Sequence, residues 1–439
     1  MNYPDNDNPI ADFCGCLMPA ADMMASGDNP PTGWSPIQDN SFSHCALIRL
    51  SFCIEHGLCY LCLMKKQWAG VHVAHIGETV PAAHRHVCRK HAEPEYKTRE
   101  KMEKENKYVL QYPSIMKGKK IMYVHGFMSS AQSGTVARIR EMLPSADVVA
   151  YDLPVHPQEA MDLLRQKCEE QKPDLIIGTS MGGMYTEMLY GYDRILVNPA
   201  FLMGETMTKH GMLGKQTFQN PRQDGVQEFI VTKSMVEEYK EVTRQCFAAV
   251  TDEEQDRVYG LFGDADTTVA AETYGVFAAH YRQAISFHGE HRLIDKSLIH
   301  AVIPVVRWID DRQEGRERPI IYVSIDALRD ARGSQRGSAM KGFQTLLNHY
   351  AMYVVAPSPS YDEEYVAEVR RWVNDTVNVP AWQRLTFTNQ ENLLYGDYLI
   401  APVAECERSG FMGTTIALGS DTFKTWDEII EFFSRLGGQ

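Results

Sequence analysis

The chemistry that can be read most directly from this chain is acyl transfer from a serine. Gly178-Thr179-Ser180-Met181-Gly182-Gly183 follows the apolar run Leu175-Ile176-Ile177 and precedes a stretch of helical character, GGMYTEMLY. Such a serine needs a strained turn between strand and helix, which stands its hydroxyl above the sheet. Glycines two residues to either side let the backbone pack closely there. The start of the helix supplies unpaired N–H groups and a positive dipole end for a developing oxyanion. Taken alone, the string also describes a glycine turn with a serine helix cap, so its partners decide between the two.

A serine hydroxyl needs a base, and the base needs an orienting carboxylate. Downstream, the apolar run RVYGLFG ends in Gly263-Asp264-Ala265-Asp266, and AISFHG runs into Gly289-Glu290-His291. Both are loops after strands, where catalytic groups gather in parallel sheets. His291 is the expected base. Asp266 is the expected acid, with Asp264 as the alternative. His288 and His300 compete with His291 but lack its setting after a strand and a glycine. Upstream, Val124-His125-Gly126-Phe127-Met128 closes an earlier strand. The N–H of Phe127 or Met128, with that of Met181, would form the oxyanion hole.

These residues require a sheet with all its loops at one edge, and the sequence supplies one. KKIMYVHGF, VVAYDLP, DLIIGTS, RILVNPA, RVYGLFG and AISFHG read as strands, with helices predicted over 134–143, 157–171 and GGMYTEMLY. This βαβα alternation predicts an α/β fold with a mostly parallel sheet covered on both faces. The first domain is expected to end near Asp310-Asp311, followed by DRQEGRERP as a charged linker. A second α/β pattern follows: strands PIIYVSID and MYVVAPSPS, helices over 337–349 and 361–375, short strands RLTFT, DYLIAPV and GTTIALG, and a terminal helix.

The chain has 439 residues, which predicts two or three domains. Its 44% hydrophobic and 23% charged content is that of a globular protein. A net charge of −13 argues against nucleic acid or an anionic membrane as partner. No stretch reaches the roughly 18 consecutive apolar residues of a membrane helix. The opening MNYPDNDNPIADFCGC lacks the basic and apolar regions of a signal peptide, so a cytoplasmic location is expected.

Seven of the ten cysteines precede residue 90. Residues 1–40, rich in Pro, Gly, Asp and Asn, read as disordered, and 41–107 as a Cys/His-rich module with a charged linker. Cys59-x2-Cys62 and Cys88-x2-His91 have the spacing of two zinc-knuckle pairs, a Cys3His structural set. The competing reading is a small bundle of unliganded cysteines packed as apolar side chains. A protein partner is the expected role of this module.

The strings MYVHGFMSS, GTSMGGMYTEML, LVNPAF, GDADTTV and GEHRL resemble the YqiA-type esterases of the UPF0227 group, over residues 119–310. The resemblance implies an α/β-hydrolase fold, hydrolysis of short acyl esters or thioesters, and the triad Ser180, Asp266 and His291, with no cofactor for catalysis. The segment between Asn198 and Arg257 is longer and richer in polar residues than the core needs, so it is expected to form a small cap where the acyl group would be chosen. IIYVSIDALRDA, YVVAPSPS, FTNQENLLYGDYLIAP and IALGSDTFKTWDEII, over residues 319–436 of a domain expected to span 319–439, resemble the Rossmann-like haloacid-dehalogenase fold of the 5′(3′)-deoxyribonucleotidase type. That family's chemistry needs a nucleophilic Asp, a second Asp, a Lys and an acidic pair for Mg²⁺. Here Ser324 stands in the nucleophile's place and Asp326 is retained. Glu391 falls at the Lys, and Ala401 and Pro402 at the acidic pair. The expectation is a pseudo-phosphatase domain. The leading reading of the whole chain is therefore a serine esterase on a small acyl-ester substrate. The alternatives are a non-enzymatic adaptor and a nucleotide-responsive regulatory protein.

Overall fold

The computed structural model describes residues 106–437, Ala270 apart. Its first sheet has six strands: β1 (Lys120–Val124), β2 (Asp147–Ala150), β3 (Leu175–Thr179), β4 (Arg194–Val197), β7 (Val258–Gly263) and β8 (Ala284–Phe287). They lie in the order β2-β1-β3-β4-β7-β8, and every pair is parallel. β3 and β4 are buried along nearly their whole length, which is why they read as unbroken apolar runs. Helices α1 (Gly134–Met142), α2 (Pro157–Gln171), α3 (Met181–Glu187), α4 (Met203–Lys209), α5 (Lys233–Thr243), α6 (Glu272–Ala278) and α7 (Ile303–Gln313) follow in chain order. The sheet separates two cores. One holds Met122, Ile176, Met184 and Tyr185 with α2 and α5, and the other holds Ile121, Ile177, Val305 and Ile309 with α1 and α7.

The packed region starts earlier than the expected 119. Tyr108, Tyr112, Ile115 and Met116 are buried in the second of these cores. The expected cap between Asn198 and Arg257 is built from α4, α5 and an antiparallel hairpin of β5 (Gly214–Thr217) and β6 (Glu228–Val231). No strand is predicted there from sequence, because GKQT and the turn after it are polar.

A second sheet has five parallel strands: β9 (Ile320–Ser324), β10 (Ala351–Ala356), β11 (Leu385–Phe387), β12 (Tyr398–Pro402) and β13 (Thr414–Leu418), in the order β11-β10-β9-β12-β13. It is flanked by α8 (Ala339–Leu346), α9 (Glu363–Thr376) and α10 (Trp426–Leu436). α10 buries Trp426, Ile429 and Phe433 along one face, and the Trp426 indole N–H donates to Ala327 O at 2.8 Å.

DRQEGRERP is not a loose tether. α7 runs through Asp310 and Asp311 to Gln313, and Arg316 and Arg318 fold back onto those two carboxylates at 2.6 Å each. The second domain then packs against α7. The buried Arg307 donates to Leu347 O, and Arg384 stacks between Trp308 and Tyr353 at 4.7 and 4.5 Å. Trp382 sits against Trp308 and Tyr259. Among the described residues no helix is long and apolar enough to cross a membrane. Cys59, Cys62, Cys88 and His91, the expected zinc set, lie outside the described residues, as does the rest of their module.

Candidate active site

β3 delivers Ser180 at the carboxyl edge of the first sheet, in a backbone conformation of φ 55°, ψ −121°. That left-handed φ costs a non-glycine residue about 1–3 kcal/mol, so the surroundings must impose it. They do so by hydrogen bonds: Ser180 N–H donates to Val197 O at 2.9 Å, and its carbonyl accepts from Ala200 and Met184. The flanking glycines are required by contact. A Cβ on Gly182 would lie 2.1 Å from Val124 O, and one on Gly178 would lie 2.4 Å from Gly182 O. Gly182→Ala is therefore expected to destabilise the domain by about 3 kcal/mol or more, because only backbone can yield. Thermal or urea unfolding checks this, and a melting point equal to wild type refutes it.

His291 Nε2 lies 3.0 Å from Ser180 Oγ, and His291 Nδ1 lies 2.8 Å from Asp266 Oδ2. Asp266 is 5% exposed and also accepts from the backbone N–H of Thr268 and Val269. Burial alone would raise its pKa. The bond and charge of His291 and the two N–H donors outweigh that and hold it below the usual carboxylate value. The alternative acid, Asp264, turns away to His288, with Oδ2 3.3 Å from Nδ1. His300 is also apart from the site, its Nδ1 donating to Val377 O at 2.7 Å. Of the sequence candidates, the structure thus brings together Ser180, His291 and Asp266.

The turn that carries Phe127 and Met128 starts beside the serine. Gly126 approaches so closely that a Cβ there would lie 3.3 Å from Ser180 Cβ. The turn beyond it closes through Ser129 N–H to Gly126 O, with Met128 in a left-handed conformation, φ 58°. Met181 opens α3, so its N–H has no acceptor within the helix. His125 secures the turn from below. Its Nε2 accepts from Leu153 N–H at 3.3 Å, which leaves the proton on Nδ1 to be donated to Gly126 O at 2.9 Å. Burial lowers the His125 pKa.

The cap meets the same turn. Gln219 N–H donates to Met128 O at 2.8 Å, and Gln219 Oε1 accepts from Arg292 at 3.0 Å. Phe127 packs edge-on against Phe229 and Tyr239 of the cap.

Sequence reasoning missed Asn198. It directly follows β4, with φ 44°, and is 1% exposed. Its Oδ1 accepts from Gly263 N–H at 2.8 Å, and its Nδ2 donates to the carbonyls of Glu290 and His291 at 3.1 and 3.2 Å. One amide thus joins the acid loop to the base loop. The only signal was an Asn closing the strand RILVN, where left-handed φ favours Asn. Asn198→Ala strands a buried N–H and two carbonyls. We expect a loss of about 2–3 kcal/mol in unfolding free energy and a lower kcat. Unchanged values of both would refute the bridging role.

In the second domain, Ser324 ends β9. Its Oγ donates to Glu405 Oε2 at 2.7 Å and accepts from Asp326 N–H at 3.2 Å. Burial raises the Glu405 pKa, and Asp326 and Glu391 add to the effect. Ala401 and Pro402 end β12. Among the described residues, no group of three or more His, Cys, Asp or Glu side chains is placed to hold a metal ion.

The sheet order, the nucleophile-type turn after β3 and the loops that meet it define the first region as a parallel α/β domain with a serine at the carboxyl edge of its sheet. In comparison with known proteins, residues 120–302 match the model of UPF0227, an uncharacterised protein family. A "Putative 5'(3')-deoxyribonucleotidase" of Vibrio phage KVP40 is 25% identical over 129 residues, spanning 29% of this chain and 71% of that protein. Both resemblances read from the sequence are thereby met. Among solved structures, a monoacylglycerol lipase of Paleococcus ferrophilus is 15% identical, covering 44% of this chain and 94% of its own, with a TM-score of 0.32. Mouse alpha/beta hydrolase domain-containing protein 10 is 14% identical, covering 45% and 90%, with a TM-score of 0.31.

Proposed function

We propose that this protein is a serine hydrolase of carboxylic esters or thioesters, working through an acyl-enzyme. The observation that carries the reading is the continuous line from Asp266 Oδ2 to His291 Nδ1 and from His291 Nε2 to Ser180 Oγ, at 2.8 and 3.0 Å. Ser180 Oγ attacks the ester carbonyl while His291 takes its proton. The C–O or C–S bond breaks, and His291 returns the proton to the leaving group. Water, deprotonated by the same imidazole, then releases the acid and restores Ser180. Asp266 holds the imidazole with its proton on Nδ1. The N–H of Met181 and that of Phe127 or Met128 face the oxyanion. Substrates are acyl esters whose apolar part meets the aromatic wall of Phe127, Phe229 and Tyr239.

The second domain, on this reading, is a pseudo-phosphatase. A serine hydroxyl already engaged by Glu405 is a poor substitute for an aspartyl nucleophile. The N-terminal Cys/His module binds a structural zinc and a protein partner. The experiment for the enzyme is covalent labelling by a fluorophosphonate. Adduct on Ser180, with hydrolysis of a short p-nitrophenyl ester, is expected. An unreactive Ser180 would favour the adaptor reading instead.

A further inference from the structure

We propose that Asp375, near the carboxyl end of α9 in the second domain, is a positioning residue for His291, so that the pseudo-phosphatase domain completes the hydrolase site. This rests on the serine-hydrolase reading above.

His291 sits on a long loop. β8 ends at Phe287, and the next regular element is a short turn at Asp295–Ser297. Ile294 within it is exposed. Such a segment must be pinned if His291 Nε2 is to stay within hydrogen-bonding reach of Ser180, and pins at its two ends restrict it most. One carboxylate faces both ends, bonded at one and in longer-range reach of the other. Lys296 pairs with Asp375 Oδ1, and His288 Nε2 lies 3.7 Å from the same oxygen. The other nitrogen of His288 faces Asp264, whose Oδ1 accepts from Gly289 N–H at 3.1 Å. Asp375 therefore reaches both the base loop and, through His288, the loop that carries Asp266.

Neighbouring contacts from the same stretch add to the hold. Asn374 Nδ2 donates to Ser286 O at 3.3 Å, and Val377 O accepts from His300 at 2.7 Å. Within the hydrolase domain, Arg138 also pairs with Asp295, one residue before Lys296. The charge balance fits: Lys296 foremost, against the opposing effect of burial, and then His288 and His300 hold Asp375 below the usual carboxylate pKa. Asp375 is not needed merely to keep the domains together. Trp308, Trp382, Arg384 and Arg307 form a separate, better buried interface.

The test uses the full chain, p-nitrophenyl butyrate as substrate and a fluorophosphonate as probe. Asp375→Ala is expected to lower kcat about tenfold or more with KM unchanged, because misplacement of a reacting group costs rate rather than binding. The labelling rate of Ser180 should fall by the same factor, with no change in Tm. Asp375→Glu should recover most of the rate. Lys296→Ala should reproduce the loss, and the double variant should be no worse than either single one. Wild-type kcat in either alanine variant overturns the proposal. So does additivity in the double variant, or a KM effect with kcat intact. Lys296→Ala leaves the second domain's own side chains unaltered, so wild-type turnover there overturns the clamp even if Asp375→Ala fails to fold. Failure of the hydrolase reading itself would show earlier, as a wild-type chain that neither labels nor turns over.

Discussion

Ser180→Ala is expected to lower kcat for a p-nitrophenyl ester by five to six orders of magnitude, with KM little changed. The size follows from what a nucleophile does: without Oγ no acyl-enzyme forms, and only binding and the oxyanion donors remain. Comparable removals in other serine hydrolases cost on the order of 10⁶ in kcat. The substitution should not disturb the turn. Alanine at φ 55° is no more strained than serine, and the Ser180 N–H and carbonyl keep their partners at Val197 and Ala200. Tm should therefore match wild type, which separates lost chemistry from lost fold. Steady-state kinetics with and without prior fluorophosphonate treatment measure the effect. Retention of more than a tenth of wild-type activity would sink the assignment.

Asp266→Asn should cost about 10⁴ in kcat, nearly as much, although it changes one atom and no shape. At 2.8 Å from His291 Nδ1, a carboxylate can only accept, so the imidazole keeps its proton on Nδ1 and leaves Nε2 free to take one from Ser180. An amide that donates to Nδ1 moves the proton to Nε2, where it points at the hydroxyl it should receive from. A variant within tenfold of wild type would show that another group orients His291. The depressed pKa of Asp266 also sets a sign for stability. A carboxyl whose folded pKa lies below its unfolded value contributes stability that is complete above the ordinary value of about 3.9 and is lost as pH falls through the folded value. Wild type should therefore lose stability on acidification below about pH 4 in a way that Asp266→Asn does not. Urea unfolding at pH 6 and pH 3 measures the difference.

The features legible in the sequence were those written in consecutive residues. The β1, β3, β7 and β8 runs were plain because both faces of a parallel sheet are buried. The turn about Ser180 was plain because Gly178 and Gly182 are forced by backbone contact. Asp266 is preferred over Asp264 from sequence, but only the structure separates them. They share one loop, and which carboxylate meets His291 depends on the side each presents in three dimensions. Asn198 was illegible because a single amide between two distant loops leaves no pattern. The β5–β6 hairpin was missed because a half-exposed ribbon carries too little apolar alternation. DRQEGRERP read as a solvated linker because its charges have partners in α7 that a one-dimensional reading does not pair. Asp375 lies on a helix of the second domain, and nothing in consecutive residues ties it to the His291 loop.

The anchored segment after α7 bears on how such a chain can change over generations. With Arg316 and Arg318 locked to Asp310 and Asp311, and Arg307 capped by Leu347 O, the joint has little play. A swapped-in second domain, or a few residues inserted near Gly315, would move every group on α9 relative to the loop it faces. The two halves are thus expected to change together. Substitutions at 374–377 should be tolerated only alongside matching ones at 286–300, a pattern of paired drift that free-standing relatives of either half have no reason to display.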